Sequence, residues 1–297
     1  MHGEKKMEND LRFAILIDAD NISDKYIKII LEEAANSGIA TYKRIYGDWT
    51  NARLASWKSV LLDNSIIPMQ QYSYTCGKNS TDSAMIIDAM DILYSGTVDG
   101  FCIVSSDSDF TRLAARLRES GMQVIGMGEE KTPKPFISAC NQFKYLDLLY
   151  SNQQQEEAEE RIAQQKKEAE ERMARQQSKG KEPGDSGTKK KDASAKEKDI
   201  KPEQGAQLFA AQKKQQQKDL DRIRRTINAI IKKFSDEDGW LFSGKLGDQL
   251  SKRMPDFDVR NYGFSKLTPF VDSLGNYEVD KRKAIGGQKH IYIRMKK

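Results

Sequence analysis

The chain has 297 residues, of which 38% are hydrophobic and 31% charged. That balance is too polar for one continuous globule, and the length suits two modest domains with a linker. The three cysteines, Cys76, Cys102 and Cys140, are too widely spaced for a paired metal motif or a disulfide framework. The only histidines are His2 and His290, which leaves Ser-His or Cys-His chemistry almost nothing to work with, so catalysis must rest on carboxylates.

Charge is divided along the chain. Residues 1–150 carry a net −4, residues 151–218 a net +3 and residues 219–297 a net +6. A basic segment gains affinity for nucleic acid by releasing counterions from phosphates, so the polarity hints at such a partner. The first ten residues lack the build of a leader, and no apolar run is long enough to span a bilayer, so the expectation is a cytoplasmic protein with no membrane partner.

Residues 12–149 alternate strand and helix signals. Strands are predicted at 12–18, 41–47, 66–74, 101–105 and 123–127, with helices at about 24–36, 51–63, 82–94 and 109–119. Strict alternation implies right-handed crossovers and a parallel sheet covered on both faces, a three-layer α/β sandwich. Two of the strands, Arg12–Asp18 and Phe101–Ser105, are apolar runs that deliver acidic residues at their ends: Asp18 from one, Asp107 and Asp109 from the other. Laid parallel, they place these carboxylates on the edge where open α/β sheets bind ligands. Close carboxylates call for protons or cations, and at neutral pH a hard, oxygen-seeking metal is the simpler answer. Asp82 falls in the first turn of a predicted helix, where the helix dipole alone accounts for an acidic residue.

From Ser151 the pattern changes. Glu156–Ala163 is echoed eleven residues later, a period that keeps a narrow apolar stripe on one side of a straight helix. It reads as a stalk, with weak self-association as the second reading. Ser178–Gly205 is rich in Lys, Ser, Gly and Glu without periodicity and reads as a disordered tether. An amphipathic helix through Leu220, Ile223, Ile227, Ile230, Ile231 and Phe234 opens the tail. Helices near 244–253 and 262–274 and a hairpin of 276–280 with 290–294 complete the outline of a small winged helix-turn-helix. Arg260, Lys266, Lys281, Arg282 and Lys283 are its candidate RNA-binding residues, although many winged helices bind only proteins.

Three motifs carry a resemblance: Leu16-Ile-Asp-Ala-Asp-Asn21, Gly77-Lys-Asn-Ser-Thr-Asp82 and Ser105-Ser-Asp-Ser-Asp-Phe110. In this order and spacing, residues 11–150 resemble the NYN family of PIN-like (LabA-like), metal-dependent ribonucleases. The resemblance implies a catalytic and metal-binding set of Asp18, Asp82, Asp107 and Asp109 with Asn21 beside it, and Mg²⁺ or Mn²⁺ as cofactor. It thereby gives Asp82 a role beyond the helix dipole. The chain departs from the family pattern at Thr81 and Ser106, neither of which removes a carboxylate. Residues 219–297 resemble an OST-HTH, or LOTUS, domain through Gly244–Leu250, Phe257–Phe264 and the closing hairpin, which implies RNA, single-stranded or structured, as partner.

The expected organisation is thus a nuclease domain at 11–150, a stalk and linker at 151–218 and an RNA-binding domain at 219–297. Lys78 and Arg112 are candidates for holding the RNA backbone near the acidic edge, and the Ser105 and Ser106 hydroxyls for orienting water or phosphate oxygens. The competing readings are a non-catalytic RNA- or protein-binding adaptor and, further behind, a haloacid dehalogenase-type phosphatase using the Asp-x-Asp of Asp18 and Asp20.

Overall fold

The computed structural model describes residues 11–72, 80–177, 202–283 and 289–296; side chains at 168–177, 202–216, 283 and 289 are not described. In the front domain β1 (Arg12–Asp18) leads through α1 (Ile27–Ser37) to β2 (Ile39–Gly47) and through α2 (Trp57–Asp63) to β3 (Ile67–Gln70). Helix α3 (Ser80–Ser95) then carries the chain back across β1 to β4 (Gly100–Val104), followed by α4 (Thr111–Glu119), β5 (Gln123–Gly128), α5 (Lys134–Ala139) and β6 (Gln142–Tyr145). The strand order is β3-β2-β1-β4-β5-β6, and every pair is parallel. The expected α/β sandwich is therefore present, with its topological switch between β1 and β4. At such a switch the two crossovers leave in opposite directions and open a crevice beyond the strand ends.

Alternation along the strands builds the two cores. Phe13, Ile15 and Ile17 of β1 join Cys102 and Val104 of β4 on the face covered by α1 and α2. Ala14 and Leu16 join Phe101 and Ile103 on the opposite face, under α3, α4 and α5. Strands buried on both sides need uninterrupted apolar sequence, which is why β1 and β4 read so clearly.

The structure also departs from the sequence reading. The third strand, predicted at 66–74, spans Ile67–Gln70 and has ended by Gln71; residues 73 and 74 of that prediction lie outside the described residues. The predicted helices at 24–36, 51–63 and 109–119 each open with a 3-10 turn, at Asp24–Tyr26, Ala52–Leu54 and Ser108–Phe110. Helix α5 and strand β6 were not foreseen: β6 is four residues long and alternates polar Gln142 and Lys144 with Phe143 and Tyr145, a weak signal typical of an edge.

Helix α6 (Leu146–Gln177) starts five residues before the expected stalk and runs through it. Helix α7 (Pro202–Phe234) takes in Pro202–Gly205, which composition had assigned to the tether; residues 178–201 lie outside the described residues. In α7, Ile223, Ile227, Ile230 and Ile231 are buried, the helical spacing expected of its apolar face.

The tail continues with β7 (Leu241–Phe242), α8 (Ser243–Arg253), α9 (Leu267–Ser273), β8 (Tyr277–Lys283) and β9 (Lys289–Met295). Its hairpin is widened by β7 to a three-stranded antiparallel sheet, order β7-β9-β8, and its third helix is shorter than predicted, preceded by a 3-10 turn at Val259–Tyr262. Phe257, Tyr262 and Phe264 gather round buried Phe270 with ring centroids 5.7, 5.2 and 5.6 Å away. The front domain and residues 230–297 form one compact unit, and residues 154–229 form a second. Among the described residues no helix is long and apolar enough to cross a membrane.

Candidate metal centre

Asp18 ends β1, and Asp107 and Asp109 follow β4, so the switch crevice receives all three. Asp107 caps the 3-10 turn at Ser108–Phe110: its Oδ1 accepts the Asp109 N–H at 2.9 Å, which fixes the turn that carries Asp109. Asp82 arrives from the other direction, in the first turn of α3. One oxygen each of Asp82, Asp107 and Asp109 lies within 4.8 Å of the others, in a group graded from buried Asp82 to exposed Asp109.

Asp18 is not one of this trio; it has no solvent exposure, and its charge acts on Asp82. Its Oδ2 accepts from Asn21 Nδ2 at 2.7 Å and from Ser105 Oγ at 2.8 Å, and its Oδ1 accepts from the Asp20 N–H at 3.1 Å. Burial raises its pKa, and these hydrogen bonds oppose the rise. Burial first, then the charges of Asp18, Asp107 and Asp109, push Asp82 up to about 6. Four acidic groups thus gather at the crevice, Asp18 buried and hydrogen-bonded through both oxygens and the other three each offering an oxygen within 4.8 Å of the others. Hard oxygen donors at this spacing fit a divalent cation.

The two serines join neighbouring strand ends at the site. Ser105 Oγ donates to Asp18 and accepts the Asp107 N–H at 3.0 Å, linking the ends of β1 and β4. Ser106 Oγ accepts the Glu129 N–H at 2.9 Å and ties β4 to the end of β5. The backbones are close here: a Cβ on Gly128 would lie 2.6 Å from the Ser105 carbonyl oxygen.

A second anchor has no signal in the sequence. Asp88, further along α3 from Asp82, accepts hydrogen bonds from the Tyr46 hydroxyl and from Arg44 on β2. Burial and the Asp88 charge keep the Tyr46 hydroxyl protonated. The Tyr46 carbonyl in turn accepts from the Ala19 N–H at 3.0 Å, directly after Asp18. The helix that presents Asp82 is thereby fastened beside the strand that presents Asp18.

Of the other candidates, Arg112 is exposed in the first turn of α4, just beyond Asp109, and Asp20 is exposed next to the site. Lys78 lies outside the described residues. In the tail, Lys266 and Lys281 are exposed. Arg282 pairs with Asp280 at 2.9 Å and lies over the Trp240 and Tyr292 rings, 4.9 and 4.6 Å from their centroids. Lys283 ends β8, opposite Lys289. The Arg260 guanidinium pairs with Glu33 of the front domain and with Asp258.

Comparison with known families places an NYN domain at residues 12–147 and an OST-HTH/LOTUS domain at residues 218–287. Among solved structures the chain is similar to a protein of unknown function from Vibrio parahaemolyticus, at 18% identity and a TM-score of 0.40, covering 48% of this chain and 96% of that one. No curated protein matches.

Proposed function

We propose, for a chain that carries an NYN domain over residues 12–147 and an OST-HTH/LOTUS domain over residues 218–287, that it is a divalent-metal-dependent ribonuclease. The NYN domain implies a nuclease-type fold and the OST-HTH/LOTUS domain implies RNA binding. The observation that carries the finer reading is the convergence of Asp82, Asp107 and Asp109 at the switch crevice, with the charge of buried Asp18 acting on Asp82.

Asp82, Asp107 and Asp109 would hold Mg²⁺ or Mn²⁺, and the Asp18 carboxylate would add to the negative field at Asp82. Such an ion, when bound, makes water a better nucleophile at neutral pH and offsets charge on a scissile phosphate. The chain's own residues do the rest. Asn21 and Ser105 fix the Asp18 carboxylate and through it the spacing of β1 and β4. The Asp107 cap fixes Asp109. Arg112, exposed beside the cluster, is placed to meet an RNA phosphate. The front domain is net acidic and repels RNA, so capture falls to the basic tail, whose exposed Lys266 and Lys281 stand ready for phosphates.

The test is incubation of the purified full-length protein with single-stranded and structured RNAs in Mg²⁺, Mn²⁺ or EDTA, beside Asp107→Asn. Metal-dependent cleavage lost in the variant supports the reading. RNA binding without cleavage in any metal would favour an RNA-binding adaptor.

A further inference from the structure

We propose that residues 254–262 of the tail are an intramolecular docking element whose partner is the α1 and β6 surface of the same chain's front domain, so that captured RNA reaches the acidic edge at a fixed spacing. The docking rests on geometry alone; the fixed spacing rests also on the nuclease reading above.

Strand β6 is the outermost strand of its sheet, and its outward Phe143 N–H donates to the Pro255 carbonyl at 2.8 Å. An exposed strand edge invites further pairing, and covering it removes that hazard. Proline can accept here but has no N–H to return, so the contact closes the edge without extending the sheet.

Beside this bond lies a closed set of four charges. Arg260 grips Glu33 with two parallel hydrogen bonds, 2.6 and 2.9 Å, the fork geometry that guanidinium and carboxylate share. Asp258 accepts from Arg260 at 2.8 Å and from Lys144 at 2.9 Å, and Lys144 reaches back to Glu33 at 3.5 Å. Two charges come from each domain, and the four sum to zero. The Glu33 side chain is only 7% exposed. Burial alone would raise both carboxyls, but the Arg260 hydrogen bonds and the Lys144 charge hold Glu33 and Asp258 below the usual range. Around this centre, Asn152 Nδ2 donates to the Arg260 carbonyl at 2.8 Å, and the Tyr145 hydroxyl donates to Asp256 at 3.4 Å.

A guanidinium held between two carboxylates has no fork left for phosphate, so the ligand of Arg260 is protein. Strand β6 belongs to the same rigid sheet as β4, two strands away at about 4.8 Å per strand spacing, so a tail fixed on β6 is held in one position relative to the strand ends that carry the carboxylates. RNA held on its outer surface would then meet the carboxylates at one distance, in contrast to a free tether that samples many.

The experiment compares full-length wild type with Arg260→Met and Glu33→Gln by amide exchange, RNA affinity and cleavage mapping. Docking predicts that the Phe143 amide exchanges at least tenfold faster in either variant, while amides of β1 and β4 keep their protection, independent of protein concentration. RNA affinity should stay within twofold, and cut sites on an RNA with a single capture element should spread from a narrow window to a broad one. Unchanged Phe143 exchange in both variants would overturn docking. Protection that rises with protein concentration would assign the surface to a second copy. A tenfold loss of RNA affinity in Arg260→Met with unchanged exchange would make Arg260 an RNA ligand after all. If the wild type cuts no RNA, the nuclease reading fails, and the exchange result still decides the docking.

Discussion

Replacing Asp82 with asparagine should stabilise the metal-free protein at neutral pH and abolish most of its stabilisation by divalent cations. In the folded chain the Asp82 carboxyl is raised from 3.8 to about 6, by burial and then by the charges of Asp18, Asp107 and Asp109. The folded state therefore holds this proton more tightly than the unfolded state, and stability falls as pH rises from about 4 towards 6. A tenfold change in proton affinity corresponds to about 1.4 kcal/mol, which puts the full displacement at about 3 kcal/mol. Solvent access at the crevice mouth screens the charges and reduces the effect to about 1–2 kcal/mol.

The assay is denaturant unfolding of wild type and Asp82→Asn in EDTA across pH 4 to 7. The variant should match the wild type near pH 4 and exceed it progressively up to pH 7, because it never carries the unfavourable charge. Taking the difference between the two proteins cancels groups such as Glu33 and Asp258, whose lowered values act in the opposite direction. With Mn²⁺ at a hundredfold excess over its dissociation constant the wild type should gain about 2.7 kcal/mol, and the variant much less. A difference flat from pH 4 to 7 would refute the account of Asp82 as a charge-strained group.

Other perturbations separate anchoring, capture and docking. Asp88→Asn should cost about 1–3 kcal/mol, because it weakens the partner of buried Tyr46 and of Arg44, and should lower Mn²⁺ affinity by loosening α3 beneath Asp82; calorimetry with metal titration reads both. Lys281→Ala should make the dependence of log RNA affinity on log salt shallower by about 0.7 on single strands, whereas Arg282→Ala should act mainly through lost stacking on Trp240 and Tyr292. Truncation to residues 11–150 should leave cleavage that needs far more RNA. It should also lower the melting temperature, because Glu33, Lys144 and the Phe143 N–H lose their tail partners.

How much was legible in the sequence follows from the range of the forces involved. Strands β1 and β4 are buried on both faces, so their apolar runs and the carboxylates after them stand out in the chain itself. Asp82 did not, since an acidic residue in the first turn of a helix has an ordinary electrostatic explanation; only the resemblance singled it out. Ser105 and Ser106 were legible as neighbours of the site but not as the ties between β1, β4 and β5. Arg260 read as one basic residue among several in a basic tail. Its partner Glu33 lies 227 residues away, and no local pattern can register a pairing made by tertiary packing. Strand β6 escaped for a related reason, being short and stabilised at its outer edge by the Pro255 carbonyl of the tail.

The most direct test of the central claim is RNA cleavage by the full-length protein in Mn²⁺ or Mg²⁺, with EDTA and Asp107→Asn as paired controls. The account predicts cleavage that requires the added metal, disappears in EDTA and disappears in Asp107→Asn, while that variant still binds RNA at wild-type affinity or slightly better. Cleavage by Asp107→Asn at the wild-type rate, or cleavage undiminished in EDTA, would contradict it.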